Sequence, residues 1–184
     1  YNERDNVEPY LRALRSVSAD IDVLVVDDNS PDGTADLAEA LGAELGGVAV
    51  LRRSEKAGLG SAYRAGFRTV LDHTPPYDAV VSMDADLSHD PAVIPTMLRR
   101  IDEGADAVIG SRYVRGGGTT DWPVRRQLLS KWGNAYTRAV LRLPTRDCTS
   151  GFRAYRASAL DAIRPESTTA EGYAFLTELV RRLA

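Results

Sequence analysis

Val80-Val81-Ser82-Met83-Asp84-Ala85-Asp86-Leu87-Ser88-His89-Asp90 decides how this chain reads. The stretch opens as a short apolar run, the pattern of a buried strand. It then releases two carboxylates at i and i+2. Open α/β sheets bind ligands at the carboxyl ends of their strands. Two neighbouring carboxylates repel each other unless positive charge stands between them. A divalent cation that also takes phosphate oxygens meets that requirement. Aspartates after a strand also serve as caps and turn formers, and Asp90 before Pro91 reads as a helix cap. The rest of the chain decides between these uses.

Outward from this stretch, strand and helix patterns alternate. Apolar residues at Val7, Leu11, Leu14 and Val17 fall at helical spacing. The β-branched run 21–26 reads as a strand ending in Asp27-Asp28. Asn29-Ser30-Pro31-Asp32-Gly33 is a turn, and Thr34 opens a helix with Leu37, Leu41 and Leu45 on one face. Residues 48–51 form the next strand and residues 58–71 the next helix, rich in small residues. The strand 79–83 carries the Asp pair. Pro91 starts a helix that buries Val93, Ile94, Met97, Leu98 and Ile101, and residues 105–109 form a fourth strand. This alternation predicts an α/β fold with a mostly parallel sheet, helices on both faces and right-handed crossovers. No internal repeat or second domain is visible, so residues 1–184 read as one domain.

The rhythm changes after Gly110-Ser111-Arg112. A glycine-rich loop, residues 115–123, leads to a long amphipathic helix over residues 124–143. Its apolar set is Leu128, Leu129, Trp132, Tyr136, Ala139, Val140 and Leu143, and its basic set is Arg125, Arg126, Lys131, Arg138 and Arg142. Apolar residues at this spacing usually pack into a core. Trp132 and Tyr136 beside a basic flank also suit a helix lying in a membrane interface. A polar loop from Thr145 to Gly151, an extended piece over residues 152–155 and a short helix over residues 157–163 follow. Asp147 and Arg153 have the chemistry to serve an acceptor site, or to pair with each other.

The bulk composition is that of an ordinary globular chain of 184 residues, 43% hydrophobic and 27% charged, with net charge −3. That balance gives no case for nucleic-acid binding. The single cysteine, Cys148, excludes an internal disulfide and fits a reducing compartment. No run is long and apolar enough to span a bilayer. The abrupt start at Tyr1-Asn2-Glu3 and the stop within an apparent helix at Leu183-Ala184 read as a fragment lacking a first strand and a C-terminal part.

Five segments in order carry a resemblance: Tyr1-Asn2-Glu3; Val25 to Thr34 around Asp27-Asp28; Met83 to His89; Gly110-Ser111-Arg112-Tyr113; and Thr149-Ser150-Gly151-Phe152-Arg153-Ala154-Tyr155. Together they resemble family 2 glycosyltransferases of the GT-A fold, and within them the polyprenol (dolichol) monophosphate mannose synthases. The resemblance implies an inverting transfer of mannose from GDP-mannose to a polyprenyl phosphate at the cytoplasmic face of a membrane, with Mg²⁺ or Mn²⁺. It implies Tyr1, Glu3, Val26 and Asp28 around the nucleoside, and Asp84 and Ala85 near the ribose and diphosphate. Asp86 becomes the main metal ligand, with Asp84 and Ser88 beside it. Arg112 and Arg126, with Ser130, meet the acceptor phosphate, and Arg112 also meets the donor. Ser88 departs from the pattern, standing where relatives often carry a glutamine.

The chemistry suits these residues. A divalent ion on a diphosphate stabilises a departing nucleoside diphosphate as a Lewis acid. A phosphate monoester, with a second pKa of about 6, is already a nucleophile at neutral pH and needs no general base. What it needs is relief from repulsion by the donor, which guanidinium groups supply in two-point geometry. Asp86, Arg112 and Arg126 are therefore the expected catalytic set, with Asp27 structural and Asp28 binding. A polyprenyl phosphate glucosyltransferase using UDP-glucose is the nearest alternative. Two readings of other classes are a haloacid-dehalogenase-type phosphatase with Asp84 as nucleophile and a non-catalytic receiver domain built on Asp27-Asp28.

Overall fold

The computed structural model describes residues 1–18, 20–114 and 123–184, and only the backbone of Val124, Arg126 and Gln127. The glycines predicted to form a loop, Gly116, Gly117 and Gly118, and the side chain of Arg126 lie outside the described residues. The chain forms two compact units, Tyr1–Tyr77 with Asp84–Pro95, and Asp78–Met83 with Thr96–Ala184.

The first unit runs α1 (Arg4–Val17), β1 (Val23–Asp27), α2 (Thr34–Leu45), β2 (Val48–Arg52) and α3 (Leu59–Leu71), and closes with a 3₁₀ turn, Pro91–Val93. Strands β1 and β2 pair in parallel, with Val23 opposite Val48 and Asp27 opposite Arg52. Helix α1 buries Val7, Tyr10, Leu11 and Leu14, the i, i+3, i+4, i+7 stripe of an amphipathic helix. Helix α2 buries Thr34, Ala35, Ala38 and Leu41; of the predicted leucine row Leu41 is buried, and Leu37 and Leu45 are half-buried. Its small residues let it lie close on β2: a Cβ at Gly42 would stand 2.7 Å from the carbonyl oxygen of Val48.

The second unit holds β3 (Ala79–Ser82), most of α4 (Ile94–Asp102), β4 (Ala107–Ile109), α5 (Val124–Leu141), β5 (Arg153–Arg156), α6 (Ala157–Ala162) and α7 (Tyr173–Leu183). Strand β5 lies between β3 and β4 and runs antiparallel to both. β3 and β4 therefore keep the common direction predicted for them without touching as neighbours. The alternation of patterns cannot reveal this, because the inserted strand arrives more than forty residues after β4 in the chain. Its centre is fully enclosed, with Arg153 and Ala154 at 0% exposure and Tyr155 at 1%. Leu143, Cys148 and Val180 form a core cluster, with Ile109 and Leu141 packed on it.

Helix α5 reverses the usual amphipathic arrangement. The residues it turns inward are polar or small: Asn134 is buried, and Ser130, Gly133 and Thr137 are half-buried with Leu141. Its predicted apolar face points to solvent, with Leu128, Leu129, Trp132, Tyr136 and Val140 between 58% and 70% exposed. Of the predicted apolar set only Leu143, just past the helix, is buried.

Candidate functional site

In the first unit the segment after β3 forms a tight loop. The imidazole Nδ1 of His89 accepts a hydrogen bond from the Asp84 amide at 3.0 Å. The other ring nitrogen lies 4.0 Å from the Asp84 carboxylate. Leu87, half exposed, adopts φ +61°, a conformation that costs a non-glycine residue about 1–2 kcal/mol. The amide of Ser88 donates to Asp86 Oδ1 at 3.0 Å. Partial burial raises the proton affinity of Asp86, but hydrogen bonds from the Ser88 hydroxyl and amide outweigh it and hold the carboxyl below its ordinary range. Asp86 is thus kept ionised, and Ser88 supports it directly. Asp90 caps the following turn, accepting from the Ala92 amide at 2.9 Å, as the sequence predicts.

Tyr10 on α1 lies within electrostatic reach of the same carboxylates. Burial and then the negative charges of Asp84 and Asp86 push its ionisation far upward. Its hydroxyl is buried and has no hydrogen-bond partner among the described residues. Helix α1 also packs against the 3₁₀ turn that follows the loop.

A second corner of this unit gathers the residues near Tyr1. Asp27 is spent on the turn: its carboxylate accepts from the Ser30 amide at 2.9 Å and from the Ser30 hydroxyl at 2.6 Å. The same loop caps α1, since the amides of Asn2, Glu3 and Arg4 donate to Ser30 Oγ, Thr34 Oγ1 and Asp32 Oδ2. Asp28 instead pairs with Arg53 at 2.6 Å, both side chains being nearly buried, and Arg53 also donates to Ser61 Oγ. Tyr1 lies under Lys56, whose ammonium is 4.3 Å from the ring centre. Glu3 accepts from Asn6 Nδ2 at 2.7 Å. Arg53 was not predicted, yet the strand register supplies the signal: with Arg52 opposite Asp27, the next residue stands opposite Asp28.

In the second unit, two motif segments remote in sequence are tied together. Gly110 donates its amide to the Phe152 carbonyl, and Ser150 Oγ donates to the Gly110 carbonyl. Arg112 then meets Asp147 edge to edge, Nε to Oδ2 and Nη2 to Oδ1, both at 2.8 Å, and Nη2 also reaches Thr149 Oγ1. Asp147 is completely buried. Burial alone would raise its carboxyl, but the hydrogen bonds and charge of Arg112 hold it below the ordinary range. The guanidinium is correspondingly fixed in its protonated form. Arg153 does not pair with Asp147. Its guanidinium, fully buried, donates instead to the carbonyls of Ser150, Cys148 and Leu176. Ser130 shares a 2.5 Å hydrogen bond with the Tyr113 hydroxyl. Asn134 reaches Tyr113 and the Ser130 carbonyl with its amide, and accepts from the Cys148 amide at 2.8 Å. Asn134 went unrecognised in the sequence, where it looks like an ordinary helix residue, and Tyr113 is read there only as the end of the Gly110-Ser111-Arg112-Tyr113 segment, with no role of its own.

Among the described residues no three His, Cys, Asp or Glu side chains gather into a metal cage. Asp84 and Asp86 offer two hard oxygen donors, the set that suits an ion completing its shell with phosphate oxygens and water. Tyr10, whose buried hydroxyl has no hydrogen-bond partner among the described residues, lies within electrostatic reach of both. The donor set fits Mg²⁺ or Mn²⁺ held jointly with a diphosphate.

Comparison with known proteins agrees with these features. The model of Glycosyl transferase family 2 matches residues 1–164. An undecaprenyl-phosphate mannosyltransferase of Micrococcus luteus is 46% identical over 184 residues, covering 100% of this chain and 74% of that protein. A polyprenol monophosphomannose synthase of Mycolicibacterium smegmatis is 44% identical, covering 99% of this chain and 68% of that protein. A dolichol-phosphate mannosyltransferase of Pyrococcus furiosus is 38% identical and is covered to 46% of its length. Among solved structures, glucosyl-3-phosphoglycerate synthase of Mycobacterium tuberculosis with Mn²⁺, UDP-glucose and phosphoglyceric acid superimposes with a TM-score of 0.67 at 22% identity, over 97% of this chain and 60% of that one. That likeness gives the chain the GT-A fold, and the match to a glycosyl transferase family over residues 1–164 sets aside the phosphatase and receiver readings. With its motifs in family order and the family model matched over most of its length, the chain belongs to glycosyl transferase family 2.

Proposed function

We propose that this protein transfers mannose from GDP-mannose to a polyprenyl phosphate, with inversion, as a peripheral enzyme at the cytoplasmic face of a membrane. The observation that carries the reading is the Arg112 clamp. A buried carboxylate holds the guanidinium rigid and charged in the Gly110-Ser111-Arg112-Tyr113 segment, one of those that carry the resemblance. A preorganised guanidinium opposes the repulsion between a phosphate nucleophile and a diphosphate donor. Arg126 and Ser130 complete the acceptor site in this reading. Asp28, oriented by Arg53, accepts hydrogen bonds from the base, and Tyr1, Glu3 and Val26 frame the nucleoside. Asp84 and Ala85 serve the ribose and diphosphate side.

Asp86, with Asp84 and Ser88, would hold Mg²⁺ or Mn²⁺, which when bound supplies Lewis-acid stabilisation of the leaving diphosphate. No residue is needed as a general base, because the acceptor oxygen is already ionised at neutral pH. Among the described residues no helix is long and apolar enough to cross a membrane. The outward apolar face of α5, with Trp132 and Tyr136 stacked at 5.6 Å between ring centres, supports contact with a lipid surface instead.

The likeness to a UDP-glucose enzyme supports a second reading, a polyprenyl phosphate glucosyltransferase. Incubating the full-length protein with Mn²⁺, a polyprenyl phosphate and labelled GDP-mannose or UDP-glucose separates the two. Labelled lipid is expected from GDP-mannose; label only from UDP-glucose would overturn the choice of donor. Asp86→Ala is expected to lose at least a hundredfold in transfer, the scale on which a metal-held leaving group matters. Unchanged activity and metal dependence in that variant would remove Asp86 from the site.

A further inference from the structure

A groove of about 480 Å³ in the second unit is walled by Thr137 and Leu141 of α5 and by Tyr173, Ala174 and Thr177 of α7, together with Thr149. That is the size of a small-ligand site. Its polar groups are largely spent within the protein. Thr149 Oγ1 accepts from Arg112 Nη2 at 2.8 Å, and Thr177 Oγ1 donates to the carbonyls of Cys148 and Tyr173 at 3.4 Å. Glu178, also on the wall, holds Arg182 with one carboxylate oxygen and takes the amides of Thr169 and Ala170 with the other. What remains is apolar: the Leu141 side chain, the Ala174 methyl and the Tyr173 ring, which is 67% exposed. A sugar bound here would leave hydroxyls without partners, whereas a hydrocarbon gives up none.

The position of the groove identifies the hydrocarbon. Thr149 joins it to the Arg112 clamp, so a phosphate held by Arg112 has the groove beside it. Tyr173 is within electrostatic reach of Arg112, which puts the exposed ring at the same end. From Tyr173 to Arg181, the exposed cation at the other end of the α7 wall, the helix rises about 12 Å. On α5, Thr137 and Leu141 directly follow Tyr136 and Val140, two members of the exposed apolar row. A chain attached to the phosphate therefore meets apolar walls first and the outward apolar row next.

We propose that the groove between α5 and α7 binds the first isoprene units of the acceptor lipid, with Tyr173 and Ala174 as the residues that select an isoprenoid chain. The proposal rests on the assignment of Arg112 to the acceptor phosphate and adds where the chain leaves that phosphate and what recognises it. Each methylene buried there contributes about fourfold to binding.

The test uses the full-length protein in detergent, with the labelled donor and either dimethylallyl phosphate or farnesyl phosphate as acceptor. The wild type is expected to show a KM for farnesyl phosphate at least about tenfold lower, the worth of about two buried methylenes. Ala174→Gln puts a longer polar side chain into the groove at an exposed helix position, where glutamine is a good helix former. It is expected to lose most of that preference while its KM for the donor stays that of the wild type. Circular dichroism checks that the variant is folded; if it is not, Tyr173→Ala is read in the same way. In parallel, a benzophenone-tagged farnesyl phosphate is photocrosslinked to the wild type and located by mass spectrometry, with label expected within residues 170–181 and suppressed by polyprenyl phosphate. A wild type with no preference for farnesyl phosphate, a variant that keeps the preference, or label that falls elsewhere overturns the proposal. A raised KM for the donor in the variant assigns the groove to the donor and overturns it too. A wild type that transfers sugar to neither acceptor yet is labelled in the groove defeats the proposed reaction and leaves the isoprenoid site standing.

Discussion

Tyr10 is an apolar-stripe residue by its spacing and a polar one by its chemistry. Its hydroxyl is buried without a partner among the described residues, close enough to Asp84 and Asp86 to feel their charge. An unsatisfied buried hydroxyl costs about 1–3 kcal/mol. Tyr10→Phe removes that hydroxyl and keeps the ring, so the metal-free protein is expected to be as stable as wild type or up to about 1 kcal/mol more stable. A denaturant midpoint shifted clearly downward would show that the hydroxyl has a partner in solution. Asp147 is the opposite case, a buried charge with every acceptor position used: it takes the Arg112 guanidinium and the amides of Arg112, Thr149 and Ser150. Removing one member of a buried pair costs about 3–5 kcal/mol because the other charge is stranded. Asp147→Ala is expected to lose that much by urea unfolding, and a loss under about 1 kcal/mol would contradict the buried clamp. At this scale the sequence identified Asp27 as structural and Asp90 as a cap, since turn and cap chemistry is local. It left Asp147 open between an acceptor role and a pairing with Arg153. The choice of Arg112 as partner depends on two segments thirty-five residues apart.

Helix α5 and the Gly110 crossing carry the lessons at the scale of elements. The sequence located α5 within two residues of its observed end. It could not say which face turns inward, because periodicity defines an apolar stripe without saying what covers it. Asn134 decides: its side chain bonds the Cys148 amide, and the polar row follows it inward. Strand β5 and Gly110 are joined by a close approach. A Cβ at Gly110 would lie 2.7 Å from the Phe152 ring, and Phe152 is itself buried. Gly110→Ala therefore overpacks the joint, at a cost of about 1–3 kcal/mol. Thermal unfolding should show the midpoint lowered by roughly 2–4 °C per kcal/mol for a chain of this size. An unchanged midpoint would mean that Phe152 rotates away at no cost.

For the whole molecule, acid is the informative variable. Asp147 and Asp86 both have carboxyls held below their ordinary values. The unfolded chain therefore takes up protons first as pH falls, and stability contributed above the ordinary Asp value of about 3.9 is lost on passing below it, through the folded values. The melting temperature is expected to be flat near neutrality and to fall below about pH 4. Asp147→Asn should flatten part of that acid limb, and an identical limb in the variant would show that other carboxylates set it. The sequence by itself determined the α/β alternation, because strand and helix periods and turn residues are local signals, and its ordered motifs carried the resemblance to the family. It also supplied the residue types at the tips of β1 and β3. Only the tertiary structure decided that β5 inserts between β3 and β4, that Arg53 orients Asp28, that Arg112 is clamped by Asp147, and that α5 shows its apolar face to solvent. Each of these rests on contacts between distant segments, where pairing, burial and the need to satisfy every enclosed polar group choose among partners that sequence spacing leaves equivalent.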